Sequence, residues 1–453
     1  MTVLWARQAL LADGWARDVR VAISAEGRID SVTPEQPESG QRVDVLLPAP
    51  ANLHSHAFQR AMAGMTEARG PDPSDSFWTW RQLMFRFLDR LTPEHVQAIA
   101  AFVQMEMLEA GFATNVEFHY LHHQPGGVPF DDPAEMAGRI TAAAAQSGIG
   151  LTLLPVHYQF GGCDRRALGP GQVRFGTSPA AFARLHEASR AMLRGLPGDT
   201  VLGTAPHSLR AVSPDGLAAA IALGDGPVHM HLAEQNAEVA EVEAVYGLRP
   251  VEYLLDKVIV DPHWCLIHCT QMLPHETRQL AQTGAVAGLC PITEANLGDG
   301  IFDGVRWLTH NGQFGIGSDS NIRISLTEEL RQLDHSQRLR DHSRAALATP
   351  ALSTGRRVFQ AAALGGAQAA GRDSGSIAPG LWADLLTLDA RATDLLGLQG
   401  DTLLDAFIFA GSDRMISDVW SAGRHMVQGG RHIARDEITK AYRVALLDLR
   451  ATL

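Results

Sequence analysis

Lysine is almost missing from this chain: among 453 residues only Lys257 and Lys440 carry an ammonium group, so nearly all positive charge is arginine. Any anionic ligand must therefore be met by a local pocket of arginine and histidine. The formal net charge of −12 excludes non-specific binding to nucleic acid or to an anionic membrane surface. Cysteines are few, and Cys163, Cys265, Cys269 and Cys290 lack the spacing of a small disulfide framework, which predicts a reduced, cytoplasmic setting. Cys265-x-x-His268-Cys269 has no matching second half nearby, so it does not read as a zinc knuckle. No apolar run approaches the roughly 18 residues of a membrane span. The start, MTVLWARQALLADGW, lacks the basic region, apolar core and cleavage site of a signal peptide. Apolar residues at 45% and charged ones at 19% are ordinary for a soluble enzyme.

The length suits an α/β barrel of about 250 residues with a smaller domain attached. Eight short β-like runs alternate with helical patterns: VDVLLPAPANLH (43–54), NVEFHY (115–120), LTLLPVHY (151–158), VLGTAPHS (201–208), VHMHLA (228–233), WCLIHCT (264–270), AVAGLC (285–290) and FGIGSDS (314–320). Thr92-Pro93-Glu94 opens one helix with an N-cap and a proline in the first turn, before Gly111. Asp132-Pro133-Ala134-Glu135 reads as a capping box closed near Gly148. Further helices are predicted over 179–193, 214–223, 234–246 and 274–282. The alternation predicts a parallel (β/α)8 barrel, with an open doubly wound sheet as the alternative. Strand-like runs with glycine-rich turns at both ends, such as DVRVAIS and DLLTLD, predict a small β-sandwich-like domain from 1–47 and 375–453, leaving 48–374 to the barrel. Two long loops, 57–91 and 159–178, have the length of lids or binding loops.

His54 and His56, spaced by two, share one side of an extended segment. They end the first run, His231 ends the fifth, His268 the sixth and Asp319 the eighth. All lie at C-terminal strand ends, the face where barrel enzymes keep their active sites. Three imidazoles and a carboxylate suit Zn²⁺ or Fe²⁺ with a position left for water.

The set PANLHSH, HLAE, the strand-six histidine and GIGSDS resembles the amidohydrolase superfamily, in its mononuclear subgroup of aminohydrolases. GSIAPGLWADLLTLD (375–389) and VWSAGRHMVQGG (419–430) resemble its terminal β-domain. NLHSHAFQRAMAG, DSFWTWR, EFHY, HSLRAV, TEANLGDGIF and GIGSDS are similar to the formimidoylglutamate deiminases, which hydrolyse N-formimino-L-glutamate to N-formyl-L-glutamate and ammonia in histidine degradation.

The resemblance implies one divalent metal, Zn²⁺ or Fe²⁺, held by His54, His56, His231 and Asp319. Neither lysine lies on a barrel strand, so the carboxylated lysine of binuclear members has no counterpart. In VHMH, the H-x-x-E spacing to Glu234 selects His231 as ligand and leaves His229 to the core. His119, His122 and His123 offer the makings of a second site, although ordinary loop contacts are expected of them. Asp319 is expected to accept a proton from water, Glu234 to shuttle one to the leaving nitrogen, and His268 to hydrogen-bond the attacking oxygen. Arg81 and Arg210 match the family's carboxylate-binding arginines, with Gln59, Tyr120 and His207 completing the substrate set. The expected partners are a small dicarboxylate amidine and a second copy in a homodimer, with neither nucleic acid nor membrane. Two alternatives remain: the Cys290-Pro291 pair resembles a motif of heterocycle deaminases, which leaves room for a substrate such as guanine, and a barrel without catalysis would need a broken ligand set.

Overall fold

The computed structural model describes residues 2–67 and 77–451, without the side chains of 77–82. Its barrel strands are Ala51–Ser55, Thr114–His119, Gly150–His157, the split pair Val201–Leu202 and Ala205–Pro206, Val228–Leu232, Trp264–His268, Val286–Leu289 and Gln313–Ile316. They form two parallel ladders, and isolated parallel bridges join these, Thr204 to Val228 and Ser55 to Asp319. The ring is therefore closed, which excludes the open doubly wound sheet. The fourth strand breaks at Gly203, where a Cβ would come within 2.4 Å of the Pro227 carbonyl oxygen.

The first predicted run divides in two. VDVLLP belongs to the strand Gln41–Pro48, which lies outside the barrel between Thr2–Leu11 and Leu385–Leu388. Only Ala51–Ser55 enters the barrel. Both pieces are buried and run on without a break in the extended pattern; Pro48 and Pro50, each lacking an N–H, mark the join. The outer sheet has eight strands, running from Arg431–His432 through Arg424–Gln428, Ile416–Ser421, Leu385–Leu388, Gln41–Pro48, Thr2–Leu11 and Gly14–Ile23 to Ile29–Thr33. Leu4, Val19, Val21, Val43, Leu46, Leu385 and Trp420 form a core within it, distinct from the barrel's.

Helix ends follow local chemistry with one correction. The Thr92 hydroxyl accepts the His95 N–H, and His95 Nδ1 accepts the Thr92 N–H in return, both at 3.3 Å, at the start of helix Pro93–Glu109. The capping box expected at Asp132 does not form. Its carboxylate instead accepts the Ala134 N–H at 2.8 Å, and the helix begins at Glu135. At the other end Gly148 adopts φ 70°, the left-handed cap glycine favours.

The tail adds a helix, Arg435–Ala451, that strand-like runs did not suggest. Its buried Ile438, Tyr442, Ala445 and Leu449 recur at helical spacing. Tyr442 stacks on Phe102 of Pro93–Glu109, with ring centroids 4.0 Å apart, which fixes this helix against the barrel's outer layer. Among the described residues, no helix is long and apolar enough to cross a membrane.

Outer sheet and barrel are locked by a buried charge network. The Arg372 guanidinium donates to Asp384 (2.6 and 3.0 Å) and to Asp199 (2.8 Å), while Arg424 donates to both oxygens of Asp199 (2.9 and 2.7 Å). The Arg372 side chain is 1% exposed, so a lost partner is not replaced by water. Asp199→Ala should therefore destabilise the protein by about 3 kcal/mol or more. Urea or thermal unfolding of the variant checks this, and a loss below about 1 kcal/mol would mean that the network contributes little net stability.

Candidate metal centre

Strand closure places four groups at one point. The Asp319 N–H donates to the His54 carbonyl at 2.9 Å, and the His56 N–H donates to the Asp319 carbonyl at 3.0 Å. Behind this seam Asn52, Ser318, Asn321 and Ser55 form a buried hydrogen-bonded chain, with links of 2.6 to 3.1 Å. The ligand atoms of His54, His56, His231 and Asp319 lie within 4.8 Å of one another. Asp319 Oδ1 is 3.4 Å from His54 Nε2 and 3.3 Å from His56 Nε2.

The donor set fits a divalent cation. Burial pushes the His54 imidazole down to about 3 and lowers His56 and His231 as well, so all three are neutral at neutral pH. His56 Nδ1–H donates to the Phe118 carbonyl at 3.0 Å and His231 Nδ1–H to the His207 carbonyl at 3.1 Å, a choice of tautomer that turns their Nε2 lone pairs inward. His54 Nε2 and His231 Nε2 face each other at 3.1 Å, close enough for one cation to bind both. Burial opposes the Asp319 carboxylate, but the hydrogen bond from His54 and the charges of His54, His56 and His268 outweigh it and hold the carboxyl below its ordinary range. Tetrahedral N/O coordination is what Zn²⁺ takes.

His268 sits beside this cluster and differs in charge. Burial alone would lower it, yet Glu234, Glu294 and Asp319 together raise it to about 10. Its Nε2 lies 3.9 Å from Glu234 Oε1 and 4.0 Å from Asp319 Oδ2, and Nδ1–H donates to Glu294 Oε1 at 3.3 Å. Burial, first of all, pushes the Glu234 carboxyl up from its ordinary value. The Ala233 and Glu234 N–H groups are both held by the carboxylate of Glu238, at 3.3 and 3.0 Å. Ala233 (φ 52°), His268 (φ 71°), Cys269 (φ 54°) and Asp319 (φ 44°) all adopt left-handed backbone without being glycine. Such strain gathers where side-chain direction is over-determined by function.

The expected substrate residues meet across a cleft of about 570 Å³, mouth included, which Gln59, Tyr120, His207 and Arg210 line together with Met84, Tyr158 and Phe175. Gln59 Nε2 donates to the Tyr120 hydroxyl at 2.8 Å. His207 packs edge-on to Tyr158, with centroids 4.5 Å apart. Arg210 is only 8% exposed; its Nη2 lies 4.0 Å from Glu234 Oε2, and its Nε has no hydrogen-bond partner among the described residues. Arg81 belongs to helix Phe77–Leu88, but its side chain lies outside the described residues.

The spare histidines go elsewhere. His229 Nε2–H donates to the Ala369 carbonyl at 2.7 Å, in the core. His122 and His123 donate to the carbonyls of Val156 (2.9 Å) and Gly176 (2.7 Å), and among the described residues neither they nor His119 join a cluster of metal-ligating geometry. Glu294 is the residue that sequence reasoning passed over. It lies inside TEANLGDGIF, in the first turn of Pro291–Leu297, and accepts from both His268 and the Cys290 N–H (2.9 Å). Its position just after strand seven was the available signal.

The profile described as "Amidohydrolase family" matches residues 45–426, and that of "Formimidoylglutamate deiminase HutF, N-terminal domain" matches residues 1–42. A formimidoylglutamate deiminase from Pseudomonas aeruginosa is 46% identical over 98% of both chains. An 8-oxoguanine deaminase from the same organism is 27% identical, over 85% of this chain and 84% of its own. Among solved structures, an amidohydrolase from Brucella melitensis superposes with TM-score 0.95 at 48% identity, covering 99% of this chain and all of its own. A zinc-bound adenosine deaminase from Xanthomonas campestris, at 22% identity, shares the fold with TM-score 0.83 over 99% and 98% of the two chains.

A closed barrel with an inward-turned His/Asp set on its C-terminal rim defines a hydrolase of the amidohydrolase type. The chain belongs to the amidohydrolase family and, within it, to the formimidoylglutamate deiminases. His231→Ala should lower bound divalent metal by roughly tenfold or more, read by elemental analysis of protein prepared without chelator. Retention of full metal content would remove His231 from the ligand set.

Proposed function

We propose that this enzyme hydrolyses N-formimino-L-glutamate to N-formyl-L-glutamate and ammonia, acting in histidine degradation as a cytoplasmic homodimer with Zn²⁺ as its metal. The observation that carries the substrate reading is Arg210. A buried guanidinium whose Nε–H has no partner among the described residues, beside Glu234, suits the carboxylate of a short linear amidine. A neutral purine brings no such charge. The match of residues 1–42 to the deiminase-specific domain and the gap between 46% and 27% identity also favour the amidine over a heterocycle such as guanine.

His54, His56, His231 and Asp319 would hold the cation, which supplies Lewis acidity and brings the pKa of a water close to neutrality. The residues around it then divide the proton work. Asp319 Oδ2, turned towards His268, takes a proton from the attacking water. The water oxygen bonds to the formimino carbon as the C=N π pair moves onto nitrogen, and the carbon becomes tetrahedral. His268, cationic and fixed by Glu294, donates a hydrogen bond to that oxygen. Asp319 hands the water proton to Glu234, which passes it to the terminal nitrogen of the protonated amidine; the C–N bond breaks, ammonia leaves, and the hydroxyl proton goes back to Asp319 as the carbonyl forms. Arg210 and Arg81 are assigned to the substrate carboxylates, with Gln59, Tyr120 and His207 lining the way to the metal.

Ammonia release from N-formimino-L-glutamate, run beside guanine, tests the assignment; robust turnover of guanine with none of the amidine would overturn it. Arg210→Met should raise KM by roughly tenfold to a hundredfold, the loss of one charge-assisted contact, with metal content intact. Loss of metal in that variant would contradict a substrate role.

A further inference from the structure

Arg174 is a fully buried arginine that faces no carboxylate within ion-pair distance among the described residues. Its guanidinium is spent on carbonyl oxygens. Nε–H donates to His123 at 2.8 Å, one terminal nitrogen donates to Leu88, and the other donates to Leu91 at 3.1 Å. Its own carbonyl accepts the N–H groups of His122 and His123, both at 3.0 Å. Burial pushes the group down to about 10, which leaves it cationic at neutral pH.

Three segments of the cleft wall meet at this one side chain. Leu88 ends helix Phe77–Leu88, and Leu91 follows it. The Leu88 carbonyl also accepts the Leu91 N–H at 3.1 Å and lies at the negative end of the helix dipole, where a buried cation is favoured. His122 and His123 follow the second barrel strand, two and three residues after Tyr120. Arg174 itself lies in the 159–178 loop, next to Phe175, whose ring packs edge-on to Tyr120 with centroids 4.7 Å apart. The helix contributes Met84, whose sulfur accepts from Gln59 Nε2 and the Tyr120 hydroxyl, each at 3.7 Å. Met84, Tyr120 and Phe175 all line the cleft.

We propose that Arg174 is a positioning residue for substrate capture: by tying the end of helix Phe77–Leu88 to the loops after strands two and three, it sets the cleft wall of Met84, Tyr120 and Phe175 beside the metal centre. It touches neither substrate nor metal. Its effect on turnover rests on the deiminase reading above, whereas its effect on the wall does not. The rigid fork reaches three carbonyls in different directions, which a lysine ammonium at the end of a flexible stem cannot reproduce.

The test compares Arg174→Met and Arg174→Lys with the wild-type metal-loaded enzyme. Amide hydrogen exchange over 77–91, measured without substrate, should speed up in the Met variant while exchange in the barrel strands is unchanged. KM for N-formimino-L-glutamate should rise roughly tenfold or more, as misplacement of a distant support can cost, with kcat within about threefold of wild type and metal content equal. The Lys variant should fall between the two, and if the Met variant does not fold the Lys variant carries the same comparison. Unchanged exchange over 77–91, or a lower melting temperature with wild-type KM, would overturn the proposal. Failure of the wild-type enzyme to turn over the amidine would instead sink the functional assignment and leave the exchange result standing.

Discussion

Barrel closure and metal-site assembly are one interaction. The bridge between Ser55 and Asp319 that completes the ring is made by the two backbone hydrogen bonds that set His54 and His56 against Asp319. A barrel left open at this seam would separate two candidate ligands on strand one from the carboxylate on strand eight. The Asn52, Ser318, Asn321 and Ser55 side chains hold the same seam from inside, without charge. Fold and donor geometry therefore share their least dispensable contacts, in keeping with ligands placed on rigid strands rather than on loops.

Around this seam, buried carboxylates do much of the aligning. Glu238 holds the turn that presents Glu234, Glu294 orients His268, and Glu117 accepts the Ala57 N–H at 2.7 Å just beyond His56. Burial raises Glu117 to about 7. Each of these acids is bonded to backbone N–H groups or to imidazole, so its desolvation is offset locally. Two of them bond left-handed non-glycine residues, Glu238 to Ala233 and Glu294 to His268.

Much of this was legible in the sequence because it depends on local pattern. Eight β-like runs, the ends of helices Pro93–Glu109 and Pro179–Leu193, and the clustered histidines at strand ends are visible as periodicity, capping residues and position. What escaped depends on partners distant in the chain. The Gln41–Pro48 strand and the first barrel strand are separated by only two residues, and which sheet each joins is set by neighbours distant in the chain. Helix Arg435–Ala451 had the right spacing but sat among strand-like runs. Arg174 reads as one more arginine in a glycine-rich loop, since nothing local shows that its three guanidinium nitrogens donate to the carbonyls of 88, 91 and 123. Glu294 lay within a motif that pointed to the family without revealing which of its atoms face the histidine.

The outer sheet has a further consequence, one of timing. Gln41–Pro48 pairs on one side with Thr2–Leu11, which precedes it, and on the other with Leu385–Leu388, which is synthesised only after the whole barrel. At about 5–20 residues per second, that edge waits on the order of tens of seconds for its partner. During that interval an apolar strand presents a row of unsatisfied backbone groups, the kind of surface that recruits other chains. The nascent protein is thus most vulnerable to aggregation while its catalytic half is already taking shape, and the last strands to emerge are the ones that end the exposure.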